Sequence, residues 1–308
     1  MLEAPTPLIE VSNGGSFFMN NIVSKPPKTY KEQVQLLKDK GIVIYDDSKA
    51  ESFLSKVNYY KLSGFYLPYI DKKTEKLKKK ITLNRIMKIY EFDRELLNVV
   101  YKIIGEIEVY LRTAIAYYHG HKYGGEGYED VSNFNLRHDH KRLMDNVAEY
   151  AKRNKHNPII IHHNQQYNGH YPIWVIIEFF ELGSLSAFYR DMINSDKTTL
   201  AKNLYGVNYQ KLESWFNCLV QIRNRCCHFN RLYYSHFTTL PLANSFSNFQ
   251  PDHFLFTQLM VLKQLYPDRK KWKKTFVKPL TKLLFKYNMF SELKNMGFPK
   301  EWYQLLRK

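Results

Sequence analysis

A long run of apolar residues at helical spacing constrains the fold of this chain more than any other feature. Between Thr82 and about Tyr118 the apolar positions recur every three or four residues, which places them on one face of a helix. They are Leu97, Val100, Ile104, Leu111, Ile115 and Tyr118. The pattern predicts one long helix, ended by the pairs His119-Gly120 and Gly124-Gly125. Because no segment alternates with period two for long, the sequence predicts an all-α fold with few strands.

Shorter segments elsewhere show further helical signals. Thr29 precedes Glu32 by three residues, as in a capping box, so a helix is predicted from Thr29 to Gly41. The aromatic run 59–69 is interpreted as a compact turn, and residues 154–171 as a loop rich in His and Asn. Other helices are predicted after Asp47, over 139–153, over 172–189 with Gly183 as a candidate break, over 197–204, after Asn208, over 254–266 and over 272–287.

Composition divides the chain into four predicted segments. Residues 1–24 are rich in Ser, Gly and Asn with little charge, and are interpreted as a mobile leader. Residues 25–80 are expected to form a small N-terminal helical subdomain, residues 81–245 the helical core, and residues 246–308 basic C-terminal helices packed on that core. The lysine-rich stretch 72–80 is expected to be an exposed loop.

The charge of the chain indicates a polyanionic partner. Its 308 residues carry a formal net charge of +17, and residues 263–308 contain 13 Lys or Arg against three acids. Such clustering favours RNA. An anionic membrane surface is the weaker alternative, and the codon bias of an AT-rich genome is the competing explanation. The residues predicted to hold RNA phosphates are Lys270, Lys271, Lys273, Lys274, Lys278 and Lys282.

Composition also argues against several classes of protein. Hydrophobic residues make up 44% of the chain, which is typical of a globular fold rather than a disordered one. No apolar run approaches the ~20 residues that span a bilayer. No basic region followed by an apolar core marks a secretory signal. The three cysteines fit no disulfide framework, which favours a reducing cytoplasm.

The strongest functional signal is the segment 223–228, which reads R-N-x-x-x-H. The Arg223 guanidinium could stabilise a phosphorane, the Asn224 amide could orient the phosphodiester, and the His228 imidazole could move protons. On a helical wheel Arg223 falls near the centre of the apolar stripe, while Asn224 and His228 share another face. Arg223 and His228 diverge by about 140°. They meet at one phosphate only if Arg223 curls, the helix breaks, or a second copy contributes.

Two alternatives stay open for these residues. Arg223 is either part of this site or a buried, ion-paired arginine beside an ordinary surface histidine. Glu108, on the predicted long helix, either pairs with Arg112 one turn later or reaches across to neutralise and orient Arg223. Glu106 points to the opposite side of that helix and is the weaker candidate for this role.

Two other pairs of histidines are candidate metal ligands. The pairs His119-x-His121 and His138-x-His140 could bind a divalent cation, but no Cys or carboxylate set completes a recognisable spacing. Both pairs are interpreted as solvated loop histidines, and Cys226-Cys227 as small residues that pack within a helix. The sequence has neither a Walker-type phosphate loop nor a dinucleotide fingerprint. It therefore predicts no metal and no cofactor.

RNA chemistry makes a symmetric dimer attractive. RNA supplies its own nucleophile, the 2′-hydroxyl, so cleavage needs a base, an acid and positive charge around the phosphorane. Histidine suits both proton transfers because its ordinary pKa of ~6.5 leaves both forms populated near neutrality. One motif supplies one such histidine, and a two-fold homodimer would bring two copies to its interface.

The R-N-x-x-x-H segment, late in a helical domain, resembles the signature of the HEPN ribonucleases, an Arg and a His four to six residues apart with a polar residue after the Arg. More of the chain resembles one branch, the abortive-infection proteins of the AbiD/AbiF type. The matching stretches are K-P-P-K-T-Y at 25–30, F-Y-L-P-Y at 65–69, Y-E-F-D-R-E-L at 90–96, E-V-Y-L-R-T-A-I at 108–115, P-I-W-V-I-I-E at 172–178 and M-G-F-P-K-E-W at 296–302.

This resemblance implies a HEPN-like helical bundle over 81–245, homodimerisation, and metal-independent cleavage of RNA in anti-phage defence. It also implies a cognate small RNA as a candidate partner. Arg223, Asn224 and His228 fall on the catalytic signature, with Glu108 and Arg112 as supporting residues behind them. The leading hypothesis is a cytoplasmic, homodimeric toxin of this kind. The alternatives are a non-catalytic RNA-binding scaffold and, less favoured, a metalloenzyme built on the His-x-His pairs.

Overall fold

The computed structural model describes residues 26–71, 73–74 and 76–307. In these ranges the chain forms α-helices and no strand beyond three isolated β-bridges, which confirms the all-α prediction. The predicted leader 1–24 lies outside the described residues, as do two residues of the lysine-rich stretch 72–80. The helices are α1 Tyr30–Asp39, α2 Asp47–Leu54, α3 Tyr59–Tyr66, α4 Leu83–Tyr123, α5 His140–Arg153, α6 Pro158–Gln166, α7 Ile173–Ile176, α8 Leu182–Asp191, α9 Asn194–Tyr205, α10 Tyr209–Cys227, α11 Leu255–Leu265, α12 Arg269–Trp272, α13 Lys278–Lys286 and α14 Trp302–Arg307.

Helix α4 is the axis of the fold. It starts after Thr82, whose hydroxyl accepts the N–H of Arg85, and runs for 41 residues, a length of about 60 Å. Its apolar stripe is buried along nearly the whole length, and α3, α7, α10, α11 and α13 pack against it. Of the two pairs predicted to end the helix, His119-Gly120 is wrong because the helix continues to Tyr123, whereas Gly124-Gly125 is confirmed. Gly124, with a φ of 83°, ends it in a conformation that favours glycine.

Local capping signals located several helix starts correctly. Thr29 and Glu32 form the predicted capping box at the start of α1. Asn208 caps α10 by accepting the N–H of Lys211 at 2.8 Å. The same chemistry overturns two other predictions. Asn58 caps a helix within the aromatic run 59–69, and Asn157 caps α6 inside the segment predicted to be a loop.

The predicted helix over 172–189 is interrupted, but not at Gly183. The chain forms α7 and a short 3₁₀ turn over 177–179, then becomes extended at Phe180 and Glu181 before α8 begins. Gly183 lies inside α8. The extended backbone at Phe180 frees its carbonyl oxygen, which accepts a hydrogen bond from Arg112 of α4 at 2.8 Å. A long-range contact, rather than a glycine, therefore sets the break.

The basic C-terminal segment is also subdivided. The helix predicted over 272–287 consists of α12, a π-helical turn over 273–277, and α13. Trp272 stacks on Phe276 at 4.6 Å and donates its indole N–H to the carbonyl oxygen of Leu306 at 2.8 Å, which ties α12 to α14. None of the helices in the described ranges combines the length and apolarity that a bilayer crossing requires. The division into subdomains stays a prediction.

Candidate active site

Helix α10 carries the R-N-x-x-x-H segment in its last two turns. The helix is continuous from Tyr209 to Cys227, and His228 is its C-terminal capping residue. The backbone N–H of His228 donates to the carbonyl oxygen of Asn224 at 3.1 Å. The helix is therefore not broken between Arg223 and His228, which removes one of the three ways in which the two side chains could meet.

The buried face of α10 is wider than predicted. Cys218 and Ile222 are buried in addition to the residues of the predicted stripe, so the centre of the stripe moves away from Arg223. Arg223 lies at the edge, half-buried, and forms no ion pair with any described residue. Its predicted place at the centre of the stripe is wrong, and the structure contradicts the alternative of a buried, ion-paired arginine.

Arg223, Asn224 and His228 are the three signature residues. Within one chain their side chains lie close together but do not all point to one position. The Arg223 guanidinium donates to the side-chain oxygen of Asn224 at 3.0 Å, so it bends sideways along the helix surface. Asn224 and His228 are exposed and lie one turn apart. Among the described residues, the His228 ring has no hydrogen-bond partner. Its imidazole is thus available to a ligand or to another chain.

An open stripe on α4 borders this end of α10. Arg94, Asn98, Tyr101, Gly105 and Glu108 follow one another at intervals of four and three residues, which places them on one helix face. The Tyr101 side chain is 52% exposed. The nearby thiol of Cys227 raises the pKa of its phenol, and the Arg223 guanidinium opposes that shift. Apart from the backbone of α4 itself, no atom of the described residues lies within 4 Å of where a Gly105 Cβ would stand, so the stripe is open at this position.

Glu108 pairs with Arg112 and not with Arg223. Its Oε1 lies 2.7 Å from an Arg112 nitrogen, which also donates to the carbonyl oxygen of Phe180 at 2.8 Å. The pair therefore joins α4 to the chain just before α8, with Arg112 buried. Glu106 points away from Arg223, as predicted, and accepts a hydrogen bond from Tyr266. Of the two alternatives for Glu108, the structure supports the helix pair.

A buried carboxylate that the sequence analysis did not single out anchors the loop after His228. Asp93 of α4 is only 1% exposed and accepts the backbone N–H groups of Leu232 and Tyr233 at 3.0 and 2.6 Å. Burial raises the pKa of this carboxyl to about 7, although the two N–H donors oppose the shift. Its only sequence signal was its position inside Y-E-F-D-R-E-L.

Arg225, at an unspecified position of the R-N-x-x-x-H segment, fastens the same loop from the other side. Its guanidinium donates to the carbonyl oxygen of His236 at 2.7 Å and to the hydroxyl of Ser235 at 3.3 Å. Phe229, directly after His228, has a φ of 50°, unusual for an aromatic residue. Its ring is half-exposed beneath the Arg94 guanidinium, 4.3 Å from the ring centre. Asp93, Arg225 and Arg94 thus fix the backbone that presents His228.

None of the four candidate histidines is the solvated loop residue that the sequence predicted. His121 is exposed but lies within α4, and His140 is half-buried at the start of α5. His119 lies within α4 and is fully buried, and neither ring nitrogen has a hydrogen-bond partner in the part of the chain that the structure describes. Burial lowers its pKa to about 4. The His138 ring is nearly buried, stacks on Phe134 at 4.0 Å and contacts an oxygen of Asp191 at 3.2 Å.

One group of metal-ligating side chains was not anticipated. In the described part of the chain, Glu126, Glu129 and His170 bring their ligand atoms within 4.8 Å of one another. All three side chains are exposed, and they lie far along the chain from the segment 223–228. The six lysines predicted to hold RNA phosphates are all exposed on α12, the π-turn and α13.

Comparison with known proteins places this site within a family. Residues 52–234 match the family described as Abi-like protein, a span that begins in α2 and ends in the loop held by Asp93. Because the match covers more than half of the chain, the protein belongs to this abortive-infection family. A search of curated proteins and a search of solved structures each gave no match.

Proposed function

We propose that this protein is an AbiD/AbiF-type HEPN endoribonuclease that acts in anti-phage defence as a cytoplasmic homodimer. The observation that carries the proposal is the geometry at the end of α10. Asn224 and His228 are exposed there and Arg223 is half-buried, beside an open stripe of α4, and the loop that follows His228 is held in place by the buried Asp93. Membership of the Abi-like family supports the defence role.

The proposed reaction uses the RNA 2′-hydroxyl as nucleophile. His228 of one protomer takes the proton from this hydroxyl as its oxygen attacks the adjacent phosphorus. The P–O bond to the 5′ oxygen breaks, and His228 of the second protomer gives that oxygen a proton. Arg223 stabilises the negative charge of the phosphorane, and Asn224 orients a non-bridging oxygen. The products carry a 2′,3′-cyclic phosphate and a 5′-hydroxyl.

A second copy supplies what one chain lacks. Within one chain the Arg223 guanidinium donates to Asn224, and no hydrogen bond joins it to His228 among the described residues. A single imidazole would also have to serve both proton transfers. The α4 stripe that contains Gly105 offers a surface that another helix could approach closely, because no other described part of the chain lies within 4 Å of where a Gly105 Cβ would stand. Two-fold pairing there would bring both α10 ends to one interface.

A cleavage assay in a metal chelator tests the proposal. Purified protein, stripped of co-purified RNA, is incubated with end-labelled RNA in EDTA, and products are resolved on a gel. Wild type is expected to cleave, with His228→Ala and Arg223→Ala inactive and the exposed-histidine control His121→Ala fully active. Equal inertness of wild type and His228→Ala would overturn the proposal. Cleavage that requires added zinc or manganese would do so as well.

A non-catalytic RNA-binding scaffold is the second candidate. It is favoured by the Arg223 guanidinium, which turns to Asn224 within one chain and not to His228, because RNA-contacting residues need not converge on one phosphate. In that case RNA binding would survive in His228→Ala, and no condition would produce cleavage. The same assay, with binding measured in parallel, separates the two functions.

A further inference from the structure

A cleft between α13 and α14 combines aromatic rings with lysines. It has a volume of about 500 Å³, within the ~300–1,000 Å³ range of ligand sites. Its aromatic lining consists of Phe285, which is 70% exposed, and Tyr303, which is 42% exposed. Exposed aromatic rings on the wall of a cleft offer flat apolar faces on which a ligand can stack.

We propose that this cleft binds unpaired RNA, with bases stacked on Phe285 and Tyr303 and phosphates held by Lys278 and Lys282. The inference rests on the proposed function, since it assigns the class of RNA that the protein engages. Single-stranded nucleic acid is bound elsewhere by this combination of a basic groove and aromatic faces, because every base has a π-face to stack.

The charges of the cleft favour a phosphate backbone. Lys278 and Lys282 lie one turn apart on the exposed face of α13 and form no ion pair with any described residue. Lys286, at the end of the cleft, pairs with Glu95 of α4 at 2.5 Å, so its charge is already partly neutralised. The two unpaired lysines therefore provide the positive field for successive phosphates.

The shape of the cleft distinguishes RNA from a membrane. A membrane-binding surface buries protruding apolar side chains in the lipid interface. Here the Phe285 ring meets Phe290 edge-on at 4.8 Å, and Tyr303 packs edge-on against Trp302 at 5.5 Å. Rings held in this way by their neighbours present fixed faces at a shallow cleft, which suits a flat base.

The cleft and the candidate active site contact neighbouring positions of α4. Lys286 of the cleft pairs with Glu95, while Phe229, next to His228, lies under Arg94. Arg94 and Glu95 are consecutive, so their Cα atoms are about 3.8 Å apart and their side chains point about 100° from one another. An RNA strand seated in the cleft would thus approach the end of α10 around one turn of a helix.

Fluorescence anisotropy with uncleavable probes tests the assignment. The probes are a labelled 2′-O-methyl oligo(A) strand, which lacks the nucleophile, and a paired duplex of the same length. Replacing both Phe285 and Tyr303 by Ala is expected to weaken single-strand binding about 5- to 100-fold and duplex binding little. The single change Phe285→Trp is expected to keep the affinity, and its indole emission should be quenched when the strand binds.

Matched variants separate stacking from charge. Lys278→Ala with Lys282→Ala is expected to weaken both probes and to lower the log–log salt slope by about 0.7 for each lost phosphate contact on the single strand. Tyr45→Ala, at a residue that is 80% exposed near α2, is the aromatic control, and Lys31→Ala with Lys49→Ala is the charge control. Circular dichroism establishes that each variant is folded.

Several results would overturn the cleft assignment. The first is that replacing both Phe285 and Tyr303 by Ala leaves the affinity for the single strand unchanged, or lowers the affinity for the duplex equally. The second is that the indole emission of Phe285→Trp is not quenched when the strand binds. The third is that the protein binds anionic phosphatidylserine vesicles more tightly than RNA. The nuclease proposal fails separately. If stacking-dependent binding is found but wild type never cleaves, the cleft assignment stands and the proposed catalysis falls.

Discussion

The buried carboxylate of Asp93 accepts the backbone N–H of Tyr233 at 2.6 Å and so ties helix α4 to the loop that follows His228. The two residues are 140 positions apart in the chain. Since a buried acceptor without donors, or donors without an acceptor, costs stability, this pair fixes where the loop leaves α10. The position of the His228 backbone therefore depends on a residue of another helix.

Removing this acceptor is expected to destabilise the protein and impair the site. Asp93→Ala leaves the N–H groups of Leu232 and Tyr233 unpaired, which should lower the free energy of unfolding by roughly 2–4 kcal/mol. Asp93→Asn keeps an oxygen that accepts both N–H groups and should cost less. Urea unfolding measures the difference. Equal stability of Asp93→Ala and wild type would contradict the assigned role.

The raised pKa of Asp93 predicts a pH dependence of stability. The folded protein holds this proton up to about pH 7, whereas the unfolded chain releases it near its ordinary value of 3.8. Stability relative to Asp93→Asn should therefore be greatest below about pH 4 and decline as the pH rises to about 7. Unfolding curves for both proteins across this range check the sign, and a gap that widens in the opposite direction would refute it.

His119 is expected to make the protein acid-sensitive. Burial lowers its pKa to about 4, so between pH 6.5 and 4 the imidazole is protonated in the unfolded chain and neutral in the folded protein. Stability should be intact above pH 6.5 and fall towards pH 4, by about 3 kcal/mol relative to His119→Phe. Phe also removes two buried nitrogens without partners. Parallel curves for the two proteins would show that the histidine titrates normally.

Two substitutions at Gly105 test helix stability and dimerisation separately. In the described ranges no atom outside the α4 backbone lies within 4 Å of where its Cβ would stand, so Gly105→Ala should stabilise α4 by about 1 kcal/mol without changing the mass in solution. Gly105→Trp should leave a folded monomer that neither dimerises nor cleaves RNA. Gly183→Trp is the matched control, since Gly183 is also helical and open. Light scattering and the cleavage assay report the outcome, and a dimeric, active Gly105→Trp protein would exclude pairing through this stripe.

Glu108 and Arg112 are expected to act as one unit. A double-mutant cycle with Glu108→Gln and Arg112→Met should give a coupling of about 0.5 kcal/mol or more, because the pair is largely shielded from solvent. A cycle between Glu108 and Arg223 should give none in the monomer. Loss of Arg112 should destabilise further, since the Phe180 carbonyl loses its donor. Strong coupling of Glu108 to Arg223 would restore the discarded alternative.

Features that depend on neighbours along the chain were determined by the sequence alone. The capping box at Thr29, the cap at Asn208 and the apolar period of α4 each require only residues within a few positions, so the all-α fold and most helix starts could be predicted. The prediction of a loop over 154–171 failed because its composition is typical of a loop, although Asn157 caps a helix within it.

Tertiary structure decided which groups meet across the fold. The sequence could not reveal that Asp93 holds the loop beyond His228, that Glu108 turns to Arg112 rather than Arg223, or that His119 is buried without partners. Each outcome depends on how helices pack over more than one hundred residues of intervening chain or on which face the core covers. Local propensity carries no information about such contacts, because they form only when buried surface and paired charges are optimised together.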